Sequence, residues 1–250
     1  MMTKQIEDAL DSRPFQKKGV EFCIKNKKAI IADQPGLGKT IQAIAAVQQA
    51  GITGTILVIA PKTAAYVTWP AEIKRWTDEP VTIIGGKLSP KMRKQRLKRL
   101  MQWNENAVDK RGWVIITPNY LRMKAKTNMY GNYVYDDNGK KVVETVREGL
   151  FDLLKIPWGA IIVDEGHQTL AGATGNIKRQ SAQRQGLGLL STKPEGMKIV
   201  LSGTPFRGKQ ENLWGILNWL YPKQYTSYWS WVDKHFGIYN GQWGQTIGSL

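Results

Sequence analysis

The run Gly36-Leu37-Gly38-Lys39-Thr40 combines residue types that grip phosphate. Glycines at 36 and 38, with Leu37 between them, let backbone N–H groups close around a polyphosphate. Lys39 reaches the β and γ phosphates, and the Thr40 hydroxyl suits a magnesium ligand. The flanks agree: apolar Ala29-Ile30-Ile31 precedes the loop and helix-forming Ile41-Gln42-Ala43-Ile44-Ala45-Ala46 follows, the order strand, phosphate loop, helix. The strict G-x-x-x-x-G-K-[ST] pattern wants glycine where Asp33 stands, so Ala32 to Thr40 fits a looser A-x-x-x-G-x-G-K-T form. A chance glycine-rich turn before a helix is the alternative.

A second constellation lies at Ala160-Ile161-Ile162-Val163-Asp164-Glu165-Gly166-His167, a buried-strand pattern that stops abruptly at two carboxylates. In an open parallel α/β sheet the C-terminal strand edge also carries the phosphate loop. Asp164 can there hold magnesium while Glu165 polarises the attacking water. Together the two motifs read as nucleoside triphosphate binding and hydrolysis with magnesium; a carboxylate pair that merely caps the next segment is the bland alternative.

Asp164-Glu165-Gly166-His167 resembles the DEAH-type box of superfamily 2 helicases, and the G-L-G-K-T loop has the form seen in their Snf2 branch. Further segments resemble family motifs in order. Arg13-Pro14-Phe15-Gln16 resembles the element whose glutamine reads adenine, which makes Gln16 the candidate for ATP selectivity. Leu57 to Thr63 resembles motif Ia and Ile115 to Tyr120 the next DNA-facing motif, so the resemblance puts Pro61, Lys62, Thr63 and Asn119 on nucleic acid. Leu201-Ser202-Gly203-Thr204-Pro205 resembles motif III, and Glu211 to Pro222 resembles the helix after it. The resemblance implies that His167 contacts Ser202 and Thr204 and couples the ATP site to nucleic acid; a plain structural hydrogen bond is the alternative. Two departures concern coupling and partner contacts: Gln168-Thr169-Leu170 follows the acidic box, and Gly208 stands where an Asn is common.

The elements that must position these residues alternate. Strands are expected near 28 to 32, 55 to 60, 81 to 84, 113 to 117, 160 to 164 and 197 to 201, with helix-length segments between them. This alternation predicts an α/β fold with a doubly wound, mainly parallel sheet, and the resemblance implies that it is a RecA-like P-loop NTPase lobe. Residues 122–147 break the rhythm as an inserted β-hairpin, with Tyr133-Val134-Tyr135, a turn at Asp136-Asp137-Asn138-Gly139, and Val142 to Val146. Its tyrosines and Lys124, Lys126, Lys140 and Lys141 could grip nucleic acid or simply decorate the surface. Residues 1–222 form the expected lobe and 223–250 an aromatic-rich linker towards a second RecA-like lobe.

A formal charge of +16 over 250 residues and a pI near 9.8 call for a polyanionic partner. DNA is expected, duplex favoured, with RNA the other option and excess lysine for solubility the bland reading. One candidate surface is the predicted helix bearing Lys91, Arg93, Lys94, Arg96, Lys98 and Arg99, capped by Ser89. Another is the cluster Lys178, Arg179 and Arg184 after the acidic box. No apolar run nears a membrane span, no signal peptide is visible, and Cys23 is the sole cysteine. These features point to a reducing intracellular compartment, cytoplasmic or nuclear, with viral and bacterial sources open.

Of ten tryptophans, Trp69, Trp76, Trp113, Trp214 and Trp219 sit in apolar-periodic segments and read as core. Trp229, Trp231, Phe236, Tyr239 and Trp243 would form an exposed apolar patch unless covered. Nothing after Pro222 resembles arginine fingers, which the resemblance assigns to a second lobe supplied in cis or in trans. The chain thus reads as the N-terminal lobe of a DNA-dependent ATPase or translocase that hydrolyses ATP weakly alone. A strand-separating helicase on DNA or RNA is the runner-up. A stand-alone binding module with structural ATP is the third reading.

Overall fold

Six apolar segments rich in β-branched residues build one wholly parallel sheet. They are β1 (Lys28–Ile31), β2 (Gly54–Ile59), β3 (Val81–Ile83), β4 (Arg111–Ile116), β7 (Trp158–Asp164) and β8 (Thr192–Leu201), in the order β1-β8-β7-β2-β4-β3. A computed structural model of the chain describes residues 4–86, 88–106, 110–126, 128–130, 132, 134–137, 139, 142–145, 149–171, 180–206, 210–241 and 244–247.

The pleat sends alternate side chains to opposite faces. Ile56, Val58, Ala160 and Ile162 join one buried layer with Ile6, Val20, Ile44 and Trp69. Leu57, Ile59, Ile161 and Val163 join the other with Leu97, Leu121, Leu187 and Ile216. Helices α1 (Lys4–Asp11), α2 (Pro14–Asn26), α3 (Lys39–Gln49) and α4 (Trp69–Trp76) cover the first face; α5 (Pro90–Asn106), α6 (Gly149–Leu154), α8 (Ala182–Gly188) and α9 (Gln210–Leu220) cover the second. Both faces being covered explains why the central strands are continuous apolar runs, each fully buried Ile or Leu stabilising by about 1.5–3 kcal/mol. Ser89 caps α5 as expected, its Oγ accepting from Met92 N–H at 3.3 Å, and Leu97 and Leu100 turn inward. That leaves Lys91, Lys94, Lys98 and Arg99 exposed.

The register decides which loops meet. Ile31 lies opposite Leu201, Leu201 opposite Asp164, Val163 opposite Ile59, and Ile59 opposite Ile116. Five strands therefore end at one level, and the loops after them share one edge. Ser202 N–H donates to the Ile31 carbonyl (3.1 Å) and Ala60 N–H to that of Ile116 (3.1 Å), carrying the ladder into those loops.

The insertion departs from a simple hairpin. The turn forms, Gly139 N–H donating to Asp136 C=O at 2.9 Å, and Val142 N–H donates to Val134 C=O at 2.8 Å as a hairpin requires. Val134 N–H, however, donates to Lys126 C=O at 2.9 Å, and β6 (Val143–Thr145) pairs antiparallel with β5 (Met123–Ala125) rather than with 133–135. The returning segment is thus shared, Val142 bonding to Val134 and 143–145 pairing with the entering strand. Tyr133, Lys140, Lys141 and Val146 lie outside the described residues.

Segment 223–250, read as a linker, is structured where described. Helix α10 (Tyr228–Phe236) packs Tyr228, Trp231 and Val232 against Trp214 of α9. A strand pair, β9 (Ile238–Gly241) and β10 (Gly244–Ile247), follows it. Trp231 and Phe236 thus find cover within the chain, Trp229 stays 47% exposed, and Trp243 lies outside the described residues. Trp69, Trp76, Trp113, Trp214 and Trp219 are all buried, as their periodicity predicts.

Candidate functional site

The phosphate loop leaves β1 at Ile31 and enters α3 at Lys39. Gly36 and Gly38 adopt φ of 84° and 77°, a left-handed region that L side chains avoid. A Cβ on Gly38 would also strike the Gln16 amide nitrogen, so Gly38 answers both to backbone shape and to close packing and Gly36 to backbone shape alone. Gln16 is 1% exposed; its amide donates to the Leu37 carbonyl (2.9 Å) while Oε1 has no partner. It props the loop from below and keeps one acceptor in reserve.

Lys39 folds onto its own loop, donating to the carbonyls of Asp33 (2.8 Å) and Gln34 (3.2 Å). Thr40 sits half-buried in the first turn of α3. Asp33 accepts from Gln42 Nε2 at 2.7 Å. The residue that departs from the strict pattern is therefore tied to the following helix, and Gln42 is a supporting residue that motif matching overlooked.

Asp164 ends β7. Its Oδ2 accepts from the Trp69 indole N–H at 2.9 Å and its Oδ1 from the Glu165 backbone N–H at 3.0 Å. Burial raises the Asp164 carboxyl above its ordinary range, and the neighbouring Glu165 charge adds to this. The Trp69 bond, the backbone bond and the charge of Lys39 oppose the rise. Trp69 was expected only as core; it is fully buried, but its polar edge serves the acidic box. Glu165 adopts φ 48°, ψ 50°, one of two non-glycine residues at positive φ among those described. Such a conformation is uncommon for a carboxylate residue and concentrates at functional sites.

His167 is buried, its Nδ1 2.9 Å from Ser202 Oγ and 3.3 Å from Glu165 Oε2. Ser202 Oγ also accepts from the Thr204 backbone N–H at 3.3 Å. The chain Glu165, His167, Ser202, Thr204 links β7 to β8. Gly203 completes the approach: a Cβ there would lie 2.9 Å from Pro35 Cδ, so the loop after β8 lies directly on the phosphate loop.

Beside this cluster a groove of about 840 Å³ crosses the same edge. Pro61 and Lys62 after β2, Thr117, Pro118 and Asn119 after β4, and Gln168 after β7 line it. Thr63 is exposed at the start of the helical segment behind Lys62 but is not a lining residue. The sequence did not single out Tyr66 or Gln183, which also line the groove, whereas Arg96 belongs to the basic helix it offered as a candidate surface; Gln183 donates to Asn119 Oδ1 at 3.0 Å. Arg96 comes from α5 and donates to the Ile83 carbonyl at 2.6 Å.

Lys178 and Arg179 lie outside the described residues, as does Gly208. Arg184, read with them as a basic surface cluster, is corrected by the structure: it is 3% exposed. Its guanidinium donates to Leu170 C=O (3.3 Å) and Asn218 Oδ1 (2.8 Å) and lies over the Trp214 ring at 5.3 Å. Burial lowers its pKa to about 10. The basic run concealed a core arginine because α8 turns that side chain inward against α9.

No helix of the described residues is long and apolar enough to cross a membrane. The chain is similar to the human (Homo sapiens) Chromodomain-helicase-DNA-binding protein 8, 28% identical over 222 residues that cover 86% of this chain and 7% of that protein. Chromodomain-helicase-DNA-binding protein 6 of Mus musculus is 28% identical over 233 residues, 89% of this chain and 7% of that protein. The chain therefore spans less than a tenth of the length of these relatives. Among solved structures, the Sulfolobus solfataricus SWI2/SNF2 ATPase core in complex with dsDNA superposes with a TM-score of 0.60 at 21% identity, covering 90% of this chain and 38% of that one. The Pyrococcus furiosus Hef helicase domain gives 0.52 at 19% identity, with 88% and 38% covered. Both share the parallel helicase-type fold. The SNF2-related domain matches residues 15–242, and the chain belongs to that family.

Proposed function

We propose that this chain is the ATP-binding lobe of a DNA-dependent ATPase that moves on duplex DNA when a second RecA-like lobe completes it. The observation that carries this reading is the common level at which five strands end. It puts the phosphate loop, the acidic box, the Ser202–Thr204 loop and a basic-edged groove side by side, with His167 bridging the acidic box to Ser202 and Gly203 lying on Pro35 of the phosphate loop. The family match and the DNA-binding names of its relatives support DNA as the polyanion.

The site fits ATP and magnesium on its own features. Gly36 and Gly38 hold the positive φ that curves the loop, a Cβ on Gly38 would strike Gln16, and Lys39 donates to neutral carbonyls that phosphate oxygens outcompete. Thr40 and Asp164 present two oxygen ligands, a set that magnesium accepts when phosphates and water fill the rest. Bound there, magnesium neutralises charge on the transferred phosphoryl group. Gln16 Oε1 is the free acceptor that would read the adenine amino group. Glu165, at the wet end of the pair with its side chain 39% exposed, orients water and takes its proton. His167 senses that carboxylate through 3.3 Å and passes its position to Ser202 and Thr204. Along the groove, Lys62, Thr63 and Asn119, with Pro61 shaping the wall, contact the phosphate backbone, extended by Lys178 and Arg179. Residues 1–222 constitute the lobe, and hydrolysis without a second lobe is expected to be weak because that lobe is the expected source of the arginine fingers.

Lys39→Ala tests the reading. Fluorescent-ATP affinity is expected to fall at least about tenfold, the loss of one charge-assisted phosphate contact. Unchanged ATP affinity, or wild-type protein that binds no ATP, would overturn it.

A further inference from the structure

Trp69 does more than fill the core. Its Nε1 donates to Asp164 Oδ2 at 2.9 Å across 95 residues of sequence, and its ring is fully buried. The other Asp164 oxygen accepts from the Glu165 backbone. Both carboxylate oxygens are thereby oriented by N–H donors, one from the backbone of the acidic box itself and one from a different element.

That element also reaches the groove. A single turn of π-helix (Ala64–Thr68) runs without a break into α4, since Thr63, Thr68 and Trp69 all hold right-handed helical dihedrals. The turn opens directly behind Lys62, with Ala65 N–H donating to Pro61 C=O at 2.8 Å. Tyr66, on the π turn, lines the groove, and its hydroxyl would lie 3.0 Å from a Cβ on Gly85. Trp69 follows three residues later, and Tyr66 packs against the buried layer that contains it. An extra residue in a turn weakens its hydrogen bonding and leaves it a place where a helix can rotate locally, a feature that recurs at functional sites.

We infer that Trp69 is a positioning residue for the Asp164 carboxylate, and that the helical segment running from Lys62 through Tyr66 to Trp69 makes that position respond to nucleic acid in the groove. This rests on the ATP and DNA reading above. The indole N–H acts on the metal-facing carboxylate rather than on substrate. The link is mechanical: a ligand pressing on Lys62 and Tyr66 displaces the rigid indole one turn further on, and a hydrogen bond of this kind weakens steeply with angle.

Two measurements on the folded chain test the inference. The first is the Mg2+ concentration giving half-maximal fluorescent-ATP binding, compared between wild type and Trp69→Phe. Phenylalanine retains most of the ring packing and removes the N–H. The expected result is a rise of about tenfold, the scale of one hydrogen bond to a charged group. The second is the 15N–1H indole resonance absent from Trp69→Phe spectra. It is expected to move in Asp164→Asn and, separately, when duplex DNA is added without nucleotide. An unchanged magnesium midpoint in Trp69→Phe, or a resonance indifferent to Asp164→Asn, overturns the positioning role. A resonance indifferent to duplex DNA that the wild type binds overturns the link to the groove. Should Trp69→Phe not fold, the resonance is assigned by sequential labelling and the Asp164→Asn arm decides. Wild-type protein that binds neither ATP nor duplex DNA would instead overturn the proposed function, a different outcome from all of these.

Discussion

Glu165→Gln is expected to lower single-turnover ATP hydrolysis by about 10³-fold, the scale of a general base, while ATP affinity stays within about twofold. The assay uses the chain together with a second RecA-like lobe, where turnover is measurable. The geometry separates the two carboxylates. Asp164 is half-buried, bonded through both oxygens, and near enough to Lys39 for that charge to favour its ionised form. Glu165 is turned outward by its left-handed backbone, with its side chain 39% exposed and Oε2 3.3 Å from His167. One carboxylate is built to hold a cation and the other to meet water. Glutamine preserves the volume and the contact with His167 but cannot accept the proton, so chemistry fails while binding survives. Full turnover in this variant would remove Glu165 as the base and leave the acidic pair with a purely structural reading.

Arg184→Ala is expected to destabilise the fold by about 3 kcal/mol, read as a fall of roughly 10 °C in the melting midpoint. The substitution removes donors to Leu170 C=O and Asn218 Oδ1 and the stacking over Trp214, and leaves a hole between α8 and α9. Those partners are themselves packed, and a Cβ on Gly215 would collide with the Leu170 carbonyl, so the region has little room to collapse around the loss. Below the melting transition the variant is expected to bind duplex DNA with wild-type affinity. A large loss of DNA affinity at unchanged stability would return Arg184 to the nucleic-acid surface. The same logic makes Arg184 a test of composition arguments: at +16, net charge says that a basic surface exists and not which residues form it.

Strands were legible because a strand buried on both faces must be apolar at consecutive positions, and β2, β4 and β7 are. The phosphate loop was legible because backbone curvature demands glycine at specified places, here Gly36 and Gly38. The insertion was legible as β structure but not in its pairing. Val134 divides its backbone groups between two segments, its N–H donating to Lys126 C=O and its C=O accepting from Val142 N–H, a split that leaves no periodic trace. The aromatic tail was ambiguous for a related reason: Trp231 and Phe236 need apolar cover, and only the position of α9 shows that Trp214 supplies part of it.

What the sequence by itself determined is a parallel α/β lobe with a phosphate loop, an acidic strand end and the motifs that identify its family, since these follow from periodicity and from local residue requirements. The tertiary structure alone decided which side chains hold those motifs in place. Trp69 meets Asp164 across 95 positions and Gln16 meets Leu37 across 21. Gly203 rests on Pro35, and Arg184 is withdrawn into the core. Each depends on strand register and on how helices pack across the sheet. A hydrogen bond between distant residues leaves no periodic trace, because one donor at one position is enough to make it.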